Sequence, residues 1–297
     1  MVDAGDSKSP DGNIVRVRVS PRAPKTAETV KCRLFAAQSA VKIARFLLAK
    51  RRVTWPEGAM MRIWIVILAF LAARPLVAGE VTIAVASNFL PTAEALAEEF
   101  EAASGHDVTI VHGATGQIYA QIINGAPYDI FLAADQRRPE LLAEVEIASE
   151  RRTYAIGKLT LVASLDVGED ISESVQGRTV ALADPTVAPY GLAATAAMER
   201  LGLDTATFKP VLVANVGQVA TVFATGNAEF AFLSTSQLDL VDAAYVLDLD
   251  GLHPPVVQDA ALLTRASGNE AADAFWAYLF SDEAAALVSE AGYDLPE

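Results

Sequence analysis

Residues Val81 to Phe100, VTIAVASNFLPTAEALAEEF, constrain this chain most: a short apolar run, two small polar residues and an amphipathic segment follow one another without a break. Val81, Ile83 and Val85 are β-branched and sit in an uninterrupted apolar stretch, the pattern of a strand buried on both faces. Ser87-Asn88 ends the run, and Leu90-Pro91-Thr92 opens a helix in which Pro91 suits the first turn. Leu96, Phe100 and Ala103 form its predicted apolar stripe, with Glu94, Glu98, Glu99 and Glu101 mostly off it as a solvated face. A helix that starts so soon after a strand turns its unpaired N–H groups and positive end back on the polar turn, where an anion is favoured. One such turn means little, because Ser or Asn there is usually only a helix cap. Its recurrence is informative.

The unit repeats along the chain. Asp107 to His112 reads as a strand, Gly113-Ala114-Thr115-Gly116 as its turn, and Gln117 to Asn124 as a helix with Thr115 as the predicted N-cap. Gly125-Ala126-Pro127 stops that helix, Tyr128 to Ala134 is a third strand, and Pro139 to Ile147 is a third helix. This alternation predicts a parallel sheet covered on both faces. The extended run ending at Ser164 reads as a crossing into a second lobe. That lobe has strands at 179–183, 211–214, 229–233 and 245–249, with helices at 192–201 and 218–225 and a short one after Ser234-Thr235-Ser236. Val256 to Thr264 is the return crossing. Asn269 to Ala291 reads as one helical stretch, with Phe275, Trp276, Leu279 and Phe280 packing on the first lobe.

The expected architecture is therefore α/β, with two doubly wound lobes joined by two crossing strands. Lobe 1 comprises residues 80–160 plus 256–297, and lobe 2 residues 161–255. Open α/β sheets bind ligands beyond the carboxyl ends of their strands. Two such edges facing each other make a cleft, lined by the turns at 87–88, 113–116, 184–191 and 215–217.

Charge divides the chain in two. Residues 1–79 hold 14 Lys/Arg and 5 Asp/Glu, and residues 80–297 hold 9 and 32. Met60-Met61-Arg62, the apolar run Ile63 to Ala73 and the small residues of Leu76-Val77-Ala78-Gly79 have the order of a secretory signal peptide, cleaved after Ala78 or Gly79. The apolar run is shorter than the ~20 residues of a membrane span. Residues 60–79 are thus read as a signal and 1–59 as an extension outside the mature protein. A monomer free in the periplasm is expected. The single cysteine, Cys32, lies in the extension, which leaves the mature part without thiol chemistry. The net charge of −23 on residues 80–297 argues against nucleic acid and anionic membranes as partners.

Four blocks in fixed order carry a family resemblance: AVASNFLPTAEALAEEF, GATGQIYAQIINGAPYDIFLAADQ, ADPTVAPYGLAA and NVGQVATVFATGNAEFAF. Together they resemble the periplasmic molybdate-binding proteins of ABC transporters, over essentially all of 80–297. The resemblance implies a type II periplasmic-binding-protein fold whose lobes close on a tetrahedral oxyanion. It implies binding of molybdate and tungstate, delivery to a membrane permease and ATPase, and no cofactor; molybdenum would enter only as the bound oxyanion. By motif, the ligand-contacting positions fall on Ser87, Asn88, Thr115, Tyr190 and Val216, the last through its backbone N–H. The family often has Ser where Thr115 stands, which keeps the hydroxyl. Some members carry a ligating Tyr in the stretch matching Phe232 to Ser236; Ser234 stands here, and Tyr190 is the candidate to take over that role.

The residue types suit such a ligand independently. Molybdate is a fully deprotonated dianion that only accepts hydrogen bonds, so hydroxyls, an amide and helix-end N–H groups complement it. No Lys or Arg of residues 80–297 lies in the four turns. Phosphate carries a proton near neutral pH and wants a carboxylate acceptor, for which Asp135 and Asp184 are the nearest candidates. Sulfate, thiosulfate and phosphate binders are the alternative within the fold, and an oxyanion-sensing module is the alternative of another class. An enzyme is not expected: there is no G-x-S-x-G, P-loop, G-x-G-x-x-G or H-E-x-x-H pattern. His106, His112 and His253 lack metal-ligand spacing, and no adjacent tyrosine pair accompanies Tyr154, Tyr190 and Tyr245 to make a ferric site.

Overall fold

The computed structural model describes residues 16–18 and 78–297. Residues 60–77 of the predicted signal at 60–79, and all of the extension except 16–18, lie outside the described residues. Arg16–Arg18 forms strand β1, at the edge of the first sheet and antiparallel to the strand Asp107–Gly113.

The first sheet runs in the order β1-β3-β2-β4-β11-β5. Its strands are β2 (Glu80–Ala86), β3 (Asp107–Gly113), β4 (Ile130–Leu132), β5 (Ala148–Gly157) and β11 (Val256–Leu263). β2 is parallel to β3 and β4 and sits inside the sheet. Val81, Ile83 and Val85 point into one apolar layer and Ala84 into the other, which is why the run shows no polar alternation. The sheet is mixed rather than parallel, which corrects the expectation. β11 returns from the second lobe, enters from the opposite end and pairs antiparallel with both β4 and β5.

The second sheet runs in the order β10-β6-β9-β7-β8. It contains β6 (Leu159–Ala163), β7 (Thr179–Ala183), β8 (Lys209–Val213), β9 (Phe230–Ser234) and β10 (Tyr245–Asp248). β7 is parallel to β8 and β9, and β6 runs antiparallel to β9 and β10. The chain crosses from the first sheet to the second at Lys158, between β5 and β6.

Two helical expectations need correction. The stripe of the helix Leu90–Ser104 is Ala93, Leu96, Ala97 and Phe100; Ala103 is exposed. The stretch 269–291 is two helices, Glu270–Leu279 and Asp282–Glu290. Ser281 breaks it by capping the second, its Oγ accepting from Ala284 N at 3.2 Å, and the acidic Asp282 and Glu283 follow in the first turn. Phe275 and Leu279 are buried on the first lobe, with Trp276 and Phe280 partly buried beside them.

Candidate functional site

Each of the four turns sits at the carboxyl end of a strand and opens a helix. Ser87–Phe89 is a single 3-10 turn with all three residues buried, between β2 and the helix Leu90–Ser104. Thr115 starts the helix Thr115–Ile123, Pro189 the helix Pro189–Leu201, and Val216 the helix Val216–Ala224. These starts converge. Ser87, Asn88, Thr115, Tyr190 and Val216 all line one small pocket between the lobes, and among the described residues no Lys, Arg, Asp or Glu lines it.

The hydrogen bonding around the pocket leaves donors pointing inward. Thr115 is not the N-cap, a role that falls to Ala114 without a side-chain bond. Its Oγ1 instead accepts from Ala134 N at 3.2 Å. Ser87 Oγ accepts from Gly217 N at 3.3 Å, across the cleft. In both hydroxyls a backbone N–H takes one lone pair, and the O–H is left to donate. Pro189 has no N–H, so Tyr190 carries the first donor of its helix. In the helix Val216–Ala224, Gly217 N is spent on Ser87, and Gln218 N donates to the cap Asn215 Oδ1 at 3.0 Å. Val216 N–H then has no acceptor inside its own helix.

Two of these residues have side chains engaged within the protein. The Asn88 amide Nδ2 donates to Gln258 Oε1 at 2.9 Å and to Tyr293 OH at 3.1 Å. Both hydrogens are spent, so Asn88 has its backbone N–H to offer. The Tyr190 hydroxyl accepts from Ser234 Oγ at 3.0 Å, and its backbone N–H is the first donor of its helix. Burial raises the Tyr190 hydroxyl well above its ordinary range and pushes that of Tyr293 up to about 12, so both stay protonated at neutral pH. This buried cluster of Asn88, Gln258, Tyr154, Tyr190, Tyr293 and Ser234 was not read from the sequence. Its one signal was Gln258-Asp259, a polar pair inside the apolar run of β11.

The carboxylates nearest the turns are committed elsewhere. Asp184 Oδ1 accepts from Thr186 N at 2.8 Å and Thr186 Oγ1 at 2.7 Å, bonds that hold its carboxyl below the usual range. Asp135 pairs with Arg138 and lines a separate groove of ≈ 750 Å³. The Arg138 guanidinium reaches Thr186 O, in the second lobe, at 3.4 Å. The lobes also meet directly where Gly116 N donates to Val187 O at 2.9 Å. Among the described residues, no group of His, Cys, Asp and Glu is arranged to hold a metal ion.

Two α/β lobes closing on a small pocket lined by helix N-termini, with neutral donors and no charged side chain, are the build of a solute-binding protein. A family model described as bacterial extracellular solute-binding protein matches residues 81–294. A molybdate-binding protein ModA of Azotobacter vinelandii is 37% identical over 248 residues, which is 80% of this chain and 98% of that protein. One of Rhodobacter capsulatus is 37% identical over 230 residues, covering 74% of this chain and 90% of that protein. The solved structure of the Azotobacter vinelandii periplasmic molybdate-binding protein superposes with a TM-score of 0.68 at 34% identity, covering 73% of this chain and all of the other. The chain belongs to the ModA family of molybdate-binding proteins, within the bacterial extracellular solute-binding proteins.

Proposed function

We propose that this protein binds molybdate, and tungstate of nearly equal size, in the pocket between its lobes and delivers it to the permease and ATPase of an ABC transporter. The ligand is cargo rather than a cofactor, and no catalysis is assigned to the protein. Export through a cleaved signal at 60–79 would place it in the periplasm as a monomer. The proposed contacts are the hydroxyls of Ser87 and Thr115 and the backbone N–H groups of Asn88, Tyr190 and Val216. One observation carries the reading: the pocket offers donors from both lobes and no charged side chain. A fully ionised tetrahedral dianion satisfies such a donor set, whereas a protonated phosphate leaves its O–H unpaired at a cost of about 1–3 kcal/mol when buried. The commitments of Asp135 and Asp184 support this, since neither carboxylate lines the pocket. Sulfate is rejected by size, because the larger molybdate sets how far the lobes close.

Calorimetric titration tests the assignment. Molybdate and tungstate are expected to bind, and sulfate and phosphate to compete only at far higher concentration. Displacement of molybdate by either at comparable concentration would sink it. Ser87→Ala and Thr115→Ala each remove one bond to a charged acceptor, about 1.5–3 kcal/mol. Each is expected to raise Kd for molybdate by roughly tenfold to hundredfold. Unchanged affinity in both variants would place the site elsewhere.

A further inference from the structure

The turn Ser87–Phe89 is held from behind by the other lobe. Gln237 Nε2 donates to the carbonyl of Ser87 at 3.1 Å, and Ser236 Oγ donates to the carbonyl of Asn88 at 3.1 Å. Both donors belong to the 3-10 turn Thr235–Leu240 at the end of β9, in the second sheet, while both acceptors follow β2 in the first. Neither donor lines the anion pocket. Gln237 is 1% exposed, and its Oε1 has no hydrogen-bond partner. A buried amide that leaves its own oxygen unpaired is held by the bond its nitrogen makes.

The carbonyl of Ser87 and the N–H of Asn88 belong to one peptide group. A hydrogen bond accepted at the carbonyl polarises that group and strengthens its N–H as a donor. We infer that Gln237 is a positioning residue that couples lobe closure to anion retention: only with the lobes together does it load the Ser87–Asn88 peptide whose N–H faces the pocket. Ser236 adds a second cross-lobe bond, to the next peptide, whose carbonyl also accepts from Tyr293 OH at 2.9 Å within the first lobe. The inference rests on the reading of that pocket as the oxyanion site. When the lobes part, Gln237 and the Ser87 carbonyl both return to water, so the bond adds little to the open form. It therefore slows release and leaves capture unaffected.

Gln237→Leu keeps the bulk, removes the donor and deletes the unpaired oxygen. In rapid mixing with molybdate, its dissociation is expected to be roughly threefold to tenfold faster than wild type. The association rate and the ligand-free Tm should stay the same. Ser236→Ala should shift dissociation in the same direction, and it carries the test should Gln237→Leu fail to fold. An unchanged dissociation rate overturns the inference, and so does a fall in ligand-free Tm with no selective change in release, which would make Gln237 a packing residue only. If the wild type binds sulfate or phosphate but not molybdate, the reading of the ligand fails, and the same comparison is made with the anion that binds. If it binds none of them, the site reading fails and the inference, which rests on it, is overturned with it.

Discussion

Gly191→Ala is expected to lower both stability and molybdate affinity, although the change adds one methyl group. Gly191 is the third residue of the helix Pro189–Leu201 and packs on the turn after β7. A Cβ there meets the carbonyl oxygen of Ala183 first, then Pro185 N at 2.8 Å and Ala183 C at 2.9 Å. All three are backbone atoms, so no side chain can swing aside. The start of the helix must lift off the strand, and overpacking of this kind costs about 1–3 kcal/mol. For a domain of this size the corresponding fall in Tm is roughly 2–4 °C per kcal/mol. Tyr190, the neighbouring residue, carries the N–H proposed to face the anion. Moved outward by about 1 Å, it leaves hydrogen-bonding range. Loss of that bond together with disturbance of the pocket should raise Kd by about a hundredfold. Leu192→Ala is the control, since Leu192 is 58% exposed on the same helix and should leave affinity unchanged. A Gly191→Ala variant with wild-type Tm and Kd would show that the helix start tolerates displacement and that Tyr190 is not a contact.

The second large effect is expected from Asn88→Asp, which is nearly isosteric. The Asn88 side chain is 1% exposed in its residue average and donates both amide hydrogens, to Gln258 and Tyr293. An ionised Asp replaces this donor with an acceptor facing the Gln258 oxygen. The Tyr293 hydroxyl could turn to donate to the new carboxylate only by giving up its bond to the Asn88 carbonyl at 2.9 Å. Breaking a buried, matched pair in this way costs about 3 kcal/mol or more, and the new charge sits beside a bound dianion. Kd for molybdate should rise at least about a hundredfold at pH 7.5. The pH dependence gives a further check. Burial without donors raises the carboxyl above its unfolded value, so the penalty is present above the raised pKa and is relieved as pH falls through it. The variant should therefore regain stability between pH 7.5 and 5.5, approaching wild type, because protonated Asp can again donate to Gln258. Affinity and stability equal to wild type across that range would show that the amide is not the hub.

Much of the site was legible because it is built from local units. A β-branched run, a polar pair and a proline-opened helix specify a strand-to-helix turn from about twenty consecutive residues, and Ser87, Thr115 and Val216 mark three such turns. Backbone N–H groups at a helix start follow from the helix itself, so positions that donate through the backbone can be named without knowing what surrounds them. The break at Ser281 was equally local. It was missed because Ser-Asp-Glu was not weighed as a cap against the longer apolar period.

What the sequence by itself determined is the alternation of strands and helices, the four polar turns and the absence of a cation within them. Tertiary structure alone decided which side chains of those turns are engaged within the protein. Asn88 and Tyr190 each carry a side-chain donor and a backbone donor, and nothing local chooses between them. The side chains are engaged by Gln258, Ser234 and Tyr293, between 44 and 205 residues away along the chain. Asp135 and Asp184 were likewise undecided until Arg138 and Thr186 were seen to hold them. Periodicity reports which face of an element is buried. It carries no information about which partner a buried polar group meets, because that partner arrives only when the two sheets pack.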